Sequence, residues 1–319
     1  MKFNEKREWN EKIIPILIAF ILVLSACGNG GKDSSSKGDK HEVKHAMGTT
    51  EVPKHPKRIV VLTHEGTEAL VAMGVKPVGA VNSSNGDPWY PHLKDKFDGI
   101  KPVGDELKIN MEEIAKLKPD LIIGNKFRDE AQYKKLSKIA PTVFSKELRG
   151  DWKDNFKLYA KAINKEDKGK EVLKDYDDHV KKVSDELGDK KNQTVSMVRF
   201  MPGDVRIYHQ KTFSGQILKE LGVKRPEGQD KNDFVEKGLS KERIKAMDGD
   251  YLFYFTYQDG DKKVTQLEKD WLNDPEFKKL NASKKGHVYK VSDDVWNTSG
   301  GVLSANQMID ELKDKMMEK

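Results

Sequence analysis

Between positions 199 and 209 the chain gathers Arg199, Phe200, Arg206, Tyr208 and His209 around the turn residues Pro202-Gly203-Asp204. A guanidinium presents donors in a fixed fork, and a phenol and an imidazole add further polar tips. The run Val205 to Tyr208 reads as a strand, and side-chain alternation puts Arg206 and Tyr208 on the same face, where both could reach one ligand. His209 either donates to that ligand or lies on the surface. Earlier in the chain, Arg128 follows the apolar run Leu121 to Gly124 within Asn125-Lys126-Phe127-Arg128-Asp129. It either points into a cleft at the strand end or starts a helix paired with Asp129 or Glu130. Trp296 and Asn297 open the loop Trp296-Asn297-Thr298-Ser299-Gly300-Gly301, in which the indole either walls a cleft, with its N–H turned to a ligand oxygen, or packs in the core. Thr63-His64-Glu65 and Trp89-Tyr90 are further candidates. The chain has no Gly-x-Ser-x-Gly elbow, Walker A loop, His-Glu-x-x-His or dinucleotide fingerprint, so these groups point to binding and not to an enzyme.

The elements that must position them begin after an export signal. Lys2, Lys6, Arg7 and Lys12 precede the apolar run Ile13 to Leu24, which is too short to span a bilayer comfortably. Leu24-Ser25-Ala26-Cys27 then resembles the lipobox of bacterial lipoproteins, which implies cleavage after residue 26 and lipidation of Cys27. An ordinary secretory signal with a chance cysteine is the alternative. Cys27 is the only cysteine of 319 residues, so no disulfide or thiolate metal site is expected. Residues 27–43, rich in Gly, Ser, Asp and Lys, are expected to form a flexible tether. The balance of 58 Lys+Arg against 52 Asp+Glu is only mildly cationic. Without a concentrated basic stripe, nucleic acid is not an expected partner.

From there on, short β-branched runs alternate with amphipathic stretches, which predicts an α/β fold. Strands are expected at Arg58 to Leu62, Val78 to Val81, Leu121 to Gly124, Val143-Phe144, Val195 to Phe200, Val205 to Tyr208 and Tyr251 to Tyr257. Trp152 to Leu187 is helical in pattern, with Asn164 and Lys165 marking a break and a long helix from about Glu166 to Leu187. The segment from Met111 to Ile122 aligns without gaps on Lys241 to Leu252, and Met73-Gly74-Val75-Lys76 matches Leu221-Gly222-Val223-Lys224. Two such matches predict lobes of related topology, 44–164 and 189–319, joined by a helix over 165–188. In each copy a glutamate, Glu112 or Glu242, stands two residues before an inward-facing isoleucine.

The lipobox, the entry Pro56-Lys57-Arg58-Ile59-Val60-Val61-Leu62, the run Met111-Glu112-Glu113-Ile114 with Lys118-Pro119-Asp120-Leu121-Ile122, and Lys138-Ile139-Ala140-Pro141-Thr142-Val143 resemble the helical-hinge substrate-binding lipoproteins of iron-siderophore ABC importers. Lys44-His45-Ala46-Met47-Gly48-Thr49-Thr50 and Trp296-Asn297 with Gly300-Gly301 look most like Gram-positive receptors for citrate-based siderophores such as staphyloferrin B, schizokinen or arthrobactin. The resemblance implies two lobes with central sheets flanked by helices, joined by a single long helix, the class III periplasmic-binding-protein fold. It further implies a ferric siderophore as cargo in the cleft, no cofactor of the protein's own, no direct protein ligand to the iron, and a monomer anchored by lipid outside the membrane of a Gram-positive cell. Partners would be an ABC permease and its ATPase, with Glu112 and Glu242 docking onto the permease.

For the cleft, the resemblance supports Arg128, Arg206 and Tyr208 more than Arg199 and His209, with Trp296 and Asn297 as further ligand contacts. The loop after Trp296 lacks the arginines of staphyloferrin A receptors, which favours a less anionic, mixed hydroxamate–citrate complex. A receptor for haem or a bare metal ion with the same fold is the alternative. Such a metal site would need several histidines and a carboxylate. Only His64 and His209 stand at plausible strand ends.

Overall fold

A computed structural model describes residues 39–83, 88–148, 150, 152–257 and 262–318, so Cys27, the export signal and most of the expected tether lie outside the described residues. The first element is a hairpin of β1 (Lys40–His45) and β2 (Gly48–Pro53). It corrects the tether boundary, because residues 40–43 belong to β1. Its sequence hides the strand: Val43 is the one apolar side chain of β1, yet it is fully buried together with Val52 of β2.

The N-terminal lobe continues through β3 (Ile59–Val61), α1 (His64–Ala72), β4 (Gly79–Asn82), β5 (Lys101–Asp105), β6 (Lys108–Ile109), α2 (Met111–Lys116), β7 (Leu121–Asn125), α3 (Lys126–Asp129), α4 (Tyr133–Leu136), β8 (Thr142–Ser145) and α5 (Trp152–Ala162). Its sheet has the order β6-β5-β4-β3-β7-β8 and is parallel apart from the β5–β6 pair. Parallel strands bring their carboxyl ends, and the loops that follow them, to one edge. The helix α6 then spans Glu166–Leu187, as its pattern predicts. Leu173, Tyr176, Val180, Val183 and Leu187 bury one stripe at three- and four-residue spacing, while Lys174–Asp178 and Lys181–Asp185 pair on exposed positions. Asn164, at φ 54°, breaks the chain before it in the left-handed region that asparagine tolerates.

The C-terminal lobe contains β9 (Val195–Met201), β10 (Asp204–Tyr208), α7 (Phe213–Glu220), β11 (Val235–Glu236), β12 (Tyr251–Thr256), α8 (Lys262–Leu272), α9 (Asn281–Lys284), β13 (Val288–Lys290) and α10 (Val302–Met317). The sheet order is β11-β10-β9-β12-β13.

Hydrogen bonds match between the lobes at corresponding positions. Asp120, just before β7, accepts the backbone N–H groups of Lys57 and Arg58 at the entry to β3 (2.8 and 2.9 Å), and Asp250, just before β12, accepts that of Thr194 at the entry to β9 (2.9 Å). Thr63 caps α1 through the Gly66 N–H as Thr212 caps α7 through the Gly215 N–H. Gly74 and Gly222 end these helices at φ 72° and 73°, where a side chain would be strained, and the next N–H returns to Leu70 or Leu218. The two glutamate segments differ. Asn110 caps α2 through the N–H groups of Glu112 and Glu113, whereas Ser240 makes no such cap and Lys241–Met247 tightens into a 3₁₀ helix. Ile114 and Ile244 are both buried, as the alignment predicts.

One apolar cluster runs from Ile59, Val61 and Ile123 through α5, α6 and α10 to Val195, Phe253 and Trp296. Trp152 of α5 meets Tyr176 of α6 edge-on at 5.0 Å and Phe213 of α7 at 6.3 Å between ring centroids. A polar joint accompanies it. Glu68 of α1, fully buried, accepts the Ser304 N–H and hydroxyl at 2.8 Å each, and also the Ser299 hydroxyl, at the start of α10. Burial pushes its carboxyl above the ordinary glutamate range against those hydrogen bonds.

Candidate functional site

The C-terminal lobe supplies a linked group on one face of its sheet. Arg206 stands opposite Arg199 in the β9–β10 register, and Tyr208 follows on the same face as Arg206. Val205 and Ile207 fall into a separate apolar cluster with Val198 and Phe200. Arg199 is buried, donating to the Tyr208 hydroxyl at 3.0 Å and to Asp293 at 2.7 Å, with its guanidinium 5.3 Å from the Tyr257 ring. Burial opposes the charge, but Asp293 and Tyr208 outweigh it and hold the arginine above its ordinary pKa. Asn297 donates to the other oxygen of Asp293 at 3.3 Å. Arg206 is half-buried and bonded to Asp204 at 2.6 Å. His209, buried, holds Asp233 through Nδ1, and its Nε2 has no hydrogen-bond partner. Of the residues expected from the sequence, Arg199, Tyr208 and Asn297 are linked through the Arg199–Asp293 pair, Arg206 stands opposite Arg199, and His209 bonds separately to Asp233; Asp293 and Tyr257 join the group although the sequence did not single them out.

Trp296 takes the packing alternative. Its side chain is fully buried, stacked on Phe253 at 4.8 Å, and its N–H is given to Glu311 at 2.7 Å. It is therefore corrected from a ligand contact to a core residue. The segment Asp294–Thr298 is a π-helical turn, whose winding turns the indole inward while Asn297 meets Asp293.

In the N-terminal lobe the carboxyl end of β7 leads directly into α3. The Asn125 side chain accepts the Phe127 N–H at 2.8 Å and so fixes the first turn. A cavity of about 580 Å³ opens there, lined by Lys126, Phe127, Arg128, Glu130, Ala131, Lys146 and Glu147. Arg128, in the first turn of α3, lines it, with its guanidinium 5.2 Å from the Phe127 ring and its Nε 3.8 Å from Glu106. Phe127 is 67% exposed, a large apolar surface left open on the cavity wall. The Asp129 carboxyl is pushed up to about 7, chiefly by burial with Glu106 adding to the rise, against a hydrogen bond accepted from the Asn125 backbone and the nearby Arg128 charge. The sequence reading missed Phe127, Lys126, Lys146 and Glu147; an asparagine directly after an apolar strand, the signature of a capped helix start, was the available signal.

The remaining candidates are buried. His64 contacts the Asn82 carbonyl at 3.1 Å and the Tyr90 hydroxyl at 3.3 Å, Glu65 accepts from Asn155 and Tyr159, and Trp89 packs on Phe97. Among the described residues, no three His, Cys, Asp or Glu side chains are grouped to hold a metal ion. Glu112 and Glu242 are exposed, the former paired with Lys116 at 3.0 Å. A hydrogen bond from Ser240 holds the Glu242 carboxyl below its ordinary pKa. Among the described residues no helix is long and apolar enough to cross a membrane.

Comparison with known proteins places this geometry in a family. The model of the periplasmic binding protein family matches residues 59–295. The chain is 50% identical over 317 residues to the "Probable siderophore-binding lipoprotein YfiY" of Bacillus subtilis (strain 168), covering 95% of this chain and 98% of that protein. Among solved structures, Staphylococcus aureus SirA complexed with staphyloferrin B superposes with a TM-score of 0.79 at 38% identity, over 86% of this chain and 98% of that one. FeuA of Bacillus subtilis complexed with ferri-bacillibactin gives 0.72 at 25% identity, over 87% and 98%. With two lobes joined by one long helix and a family match over most of its length, this chain belongs to the periplasmic binding protein family, whose members are substrate-binding proteins and not enzymes.

Proposed function

We propose that the protein is the lipid-anchored receptor of an ABC importer, capturing a ferric siderophore between its lobes and handing it to the permease. The observation that carries this reading is the near full-length similarity to a protein named as a siderophore-binding lipoprotein. Buried and half-buried donors at Arg199, Tyr208 and Arg206, facing the same side of one sheet, suit an oxygen-rich iron complex. Aromatic surface at Phe127 suits its hydrocarbon parts.

The charges refine the ligand class. Arg128, Arg199, Arg206 and His209 each stand beside a carboxylate, respectively Glu106, Asp293, Asp204 and Asp233. A highly charged polycarboxylate would have to displace these partners. That supports a less anionic citrate-based complex with hydroxamate arms. Iron enters as cargo already wrapped by the siderophore, without a protein ligand.

Cys27 would carry the lipid that keeps the receptor beside the permease, on the outer face of a Gram-positive membrane. Glu112 and Glu242, at matching positions of the two lobes, would set the register on basic pockets of the permease. Uptake of a radiolabelled ferric siderophore by cells lacking the native gene tests the reading. The wild-type chain should restore uptake, and Glu112→Ala with Glu242→Ala should abolish it while ligand binding survives. Normal uptake by the double variant would remove the docking assignment.

A further inference from the structure

We infer that a ring of buried hydrogen bonds joining Glu65, Tyr159, Ser145, Asn125 and Asn155, closed through the Glu147 carbonyl, positions both walls of the cavity around Arg128, which makes Asn155 and Tyr159 positioning residues for the ligand site. The ligand part of this inference rests on the function proposed above. The β7–β8 ladder ends at the pair Asn125 and Ser145, so the two walls, 126–128 and 146–147, leave the sheet just beyond its last paired residues.

Side chains take over at that point. Asn125 accepts the Phe127 N–H at 2.8 Å and donates to the Ser145 hydroxyl at 2.8 Å and to the Glu147 carbonyl at 2.7 Å. Asn155 donates to the same carbonyl and to Glu65 Oε1, each at 2.7 Å. The Tyr159 hydroxyl closes the circuit, 2.8 Å from both Glu65 Oε1 and Ser145 Oγ. Asn125 donates to Ser145, and Tyr159 and Asn155 donate to the Glu65 carboxylate, which leaves Ser145 as the donor to Tyr159 at 2.8 Å, with the Gly124 carbonyl a more distant acceptor for the same hydroxyl at 3.4 Å. Burial and the neighbouring Glu65 charge raise the Tyr159 hydroxyl well above its ordinary pKa, so it stays a donor. All five side chains are buried, where an incomplete ring would leave unpaired polar groups and a loosened geometry.

Helix α5 gives the ring its reach. Asn155 and Tyr159 stand one turn apart on it, and Trp152 of the same helix packs on Phe213 of the other lobe and on Tyr176 of the connecting helix. The walls of the N-terminal half-site are thereby tied to the helix that carries the packing between lobes.

Hydrogen exchange of the unliganded protein tests the ring without any ligand. In Asn155→Ala and in Tyr159→Phe, backbone exchange should rise together in 126–131 and in 145–148, by tenfold or more. Val183→Ala, a destabilising control in α6 outside the ring, should leave both segments unchanged. Affinity for ferric schizokinen or ferric staphyloferrin B should fall at least tenfold in the ring variants at a temperature where each remains folded, and not in the control. Unchanged wall exchange in the ring variants, or exchange and affinity that simply follow melting temperature across all three, would overturn the inference. If the wild-type protein bound no ferric siderophore, that would count against the proposed function alone, and the exchange arm would still decide the ring.

Discussion

Removing the Glu68 carboxylate should loosen the joint between α1 and the start of α10. Glu68→Ala leaves the Ser304 N–H, the Ser304 hydroxyl and the Ser299 hydroxyl without their acceptor in a site closed to solvent. The Ser304 hydroxyl keeps His92 as a partner at 2.9 Å, so two donors are left unpaired, and at about 1–3 kcal/mol each the gross loss is roughly 2–6 kcal/mol. Relief from holding a desolvated carboxylate returns part of this, leaving a net loss of about 2 kcal/mol. With an unfolding entropy of about 2.1 cal/mol/K per residue, that is a fall in Tm of roughly 3 °C for a chain of 319 residues. The loss should also depend on pH. Because burial raises the folded-state pKa of Glu68, its stabilising contribution is complete below the unfolded value and shrinks as pH rises through the folded one. Differential scanning calorimetry of both proteins should therefore show a larger gap near pH 4 than near pH 7.5. His92, which touches the same Ser304 at 2.9 Å, is present in both proteins, so its own titration largely cancels in the difference. A gap that widened with rising pH would show that the serine hydrogen bonds outweigh burial, and a Tm change under about 1 °C would refute the joint altogether.

Burial pushes His92 down to about 4 from an ordinary 6.5, so the fold resists protonating it and stability should fall as pH drops through that window. His92→Asn should flatten this slope in urea titrations. Trp296→Ala should cost about 3–5 kcal/mol by emptying a core site, whereas Trp296→Phe should leave siderophore affinity unchanged; a specific loss of affinity in the phenylalanine variant would return the indole to the cleft. Arg206→Ala should weaken binding of the ferric siderophore at least tenfold, the size of one lost charge-assisted contact, as read by isothermal titration calorimetry. Cys27→Ala should move the protein from the detergent phase to the aqueous phase in Triton X-114 partitioning, and continued partition into detergent would mean that another segment anchors it.

Much of the fold could be read ahead because it is written locally. The apolar stripe from Leu173 to Leu187 and the left-handed Asn164 set the bounds of α6, and the repeated Asp120 and Asp250 do the same work in each lobe. The hairpin β1–β2 could not be read, because Val43 alone carries its apolar face and the strand forms only through its partner and the core it covers. At the site, arginines near strand ends were legible from type and position. Their partners were not: Asp293 reaches Arg199 across 94 positions, and Glu65 meets Tyr159 across a similar span. Trp296 shows the limit of residue type, since a large amphipathic ring serves a core or a cleft equally and only the π-helical turn decides which.

Capture of an intact ferric siderophore is measured most directly by the intrinsic tryptophan fluorescence of the purified mature protein. Titration with ferric schizokinen, ferric staphyloferrin B, ferric citrate, haem and zinc should show saturable quenching at submicromolar concentration by a citrate-based ferric siderophore, strongest for the hydroxamate–citrate complex. Saturable binding of haem or zinc, with none of the ferric siderophores altering fluorescence or Tm, would contradict it.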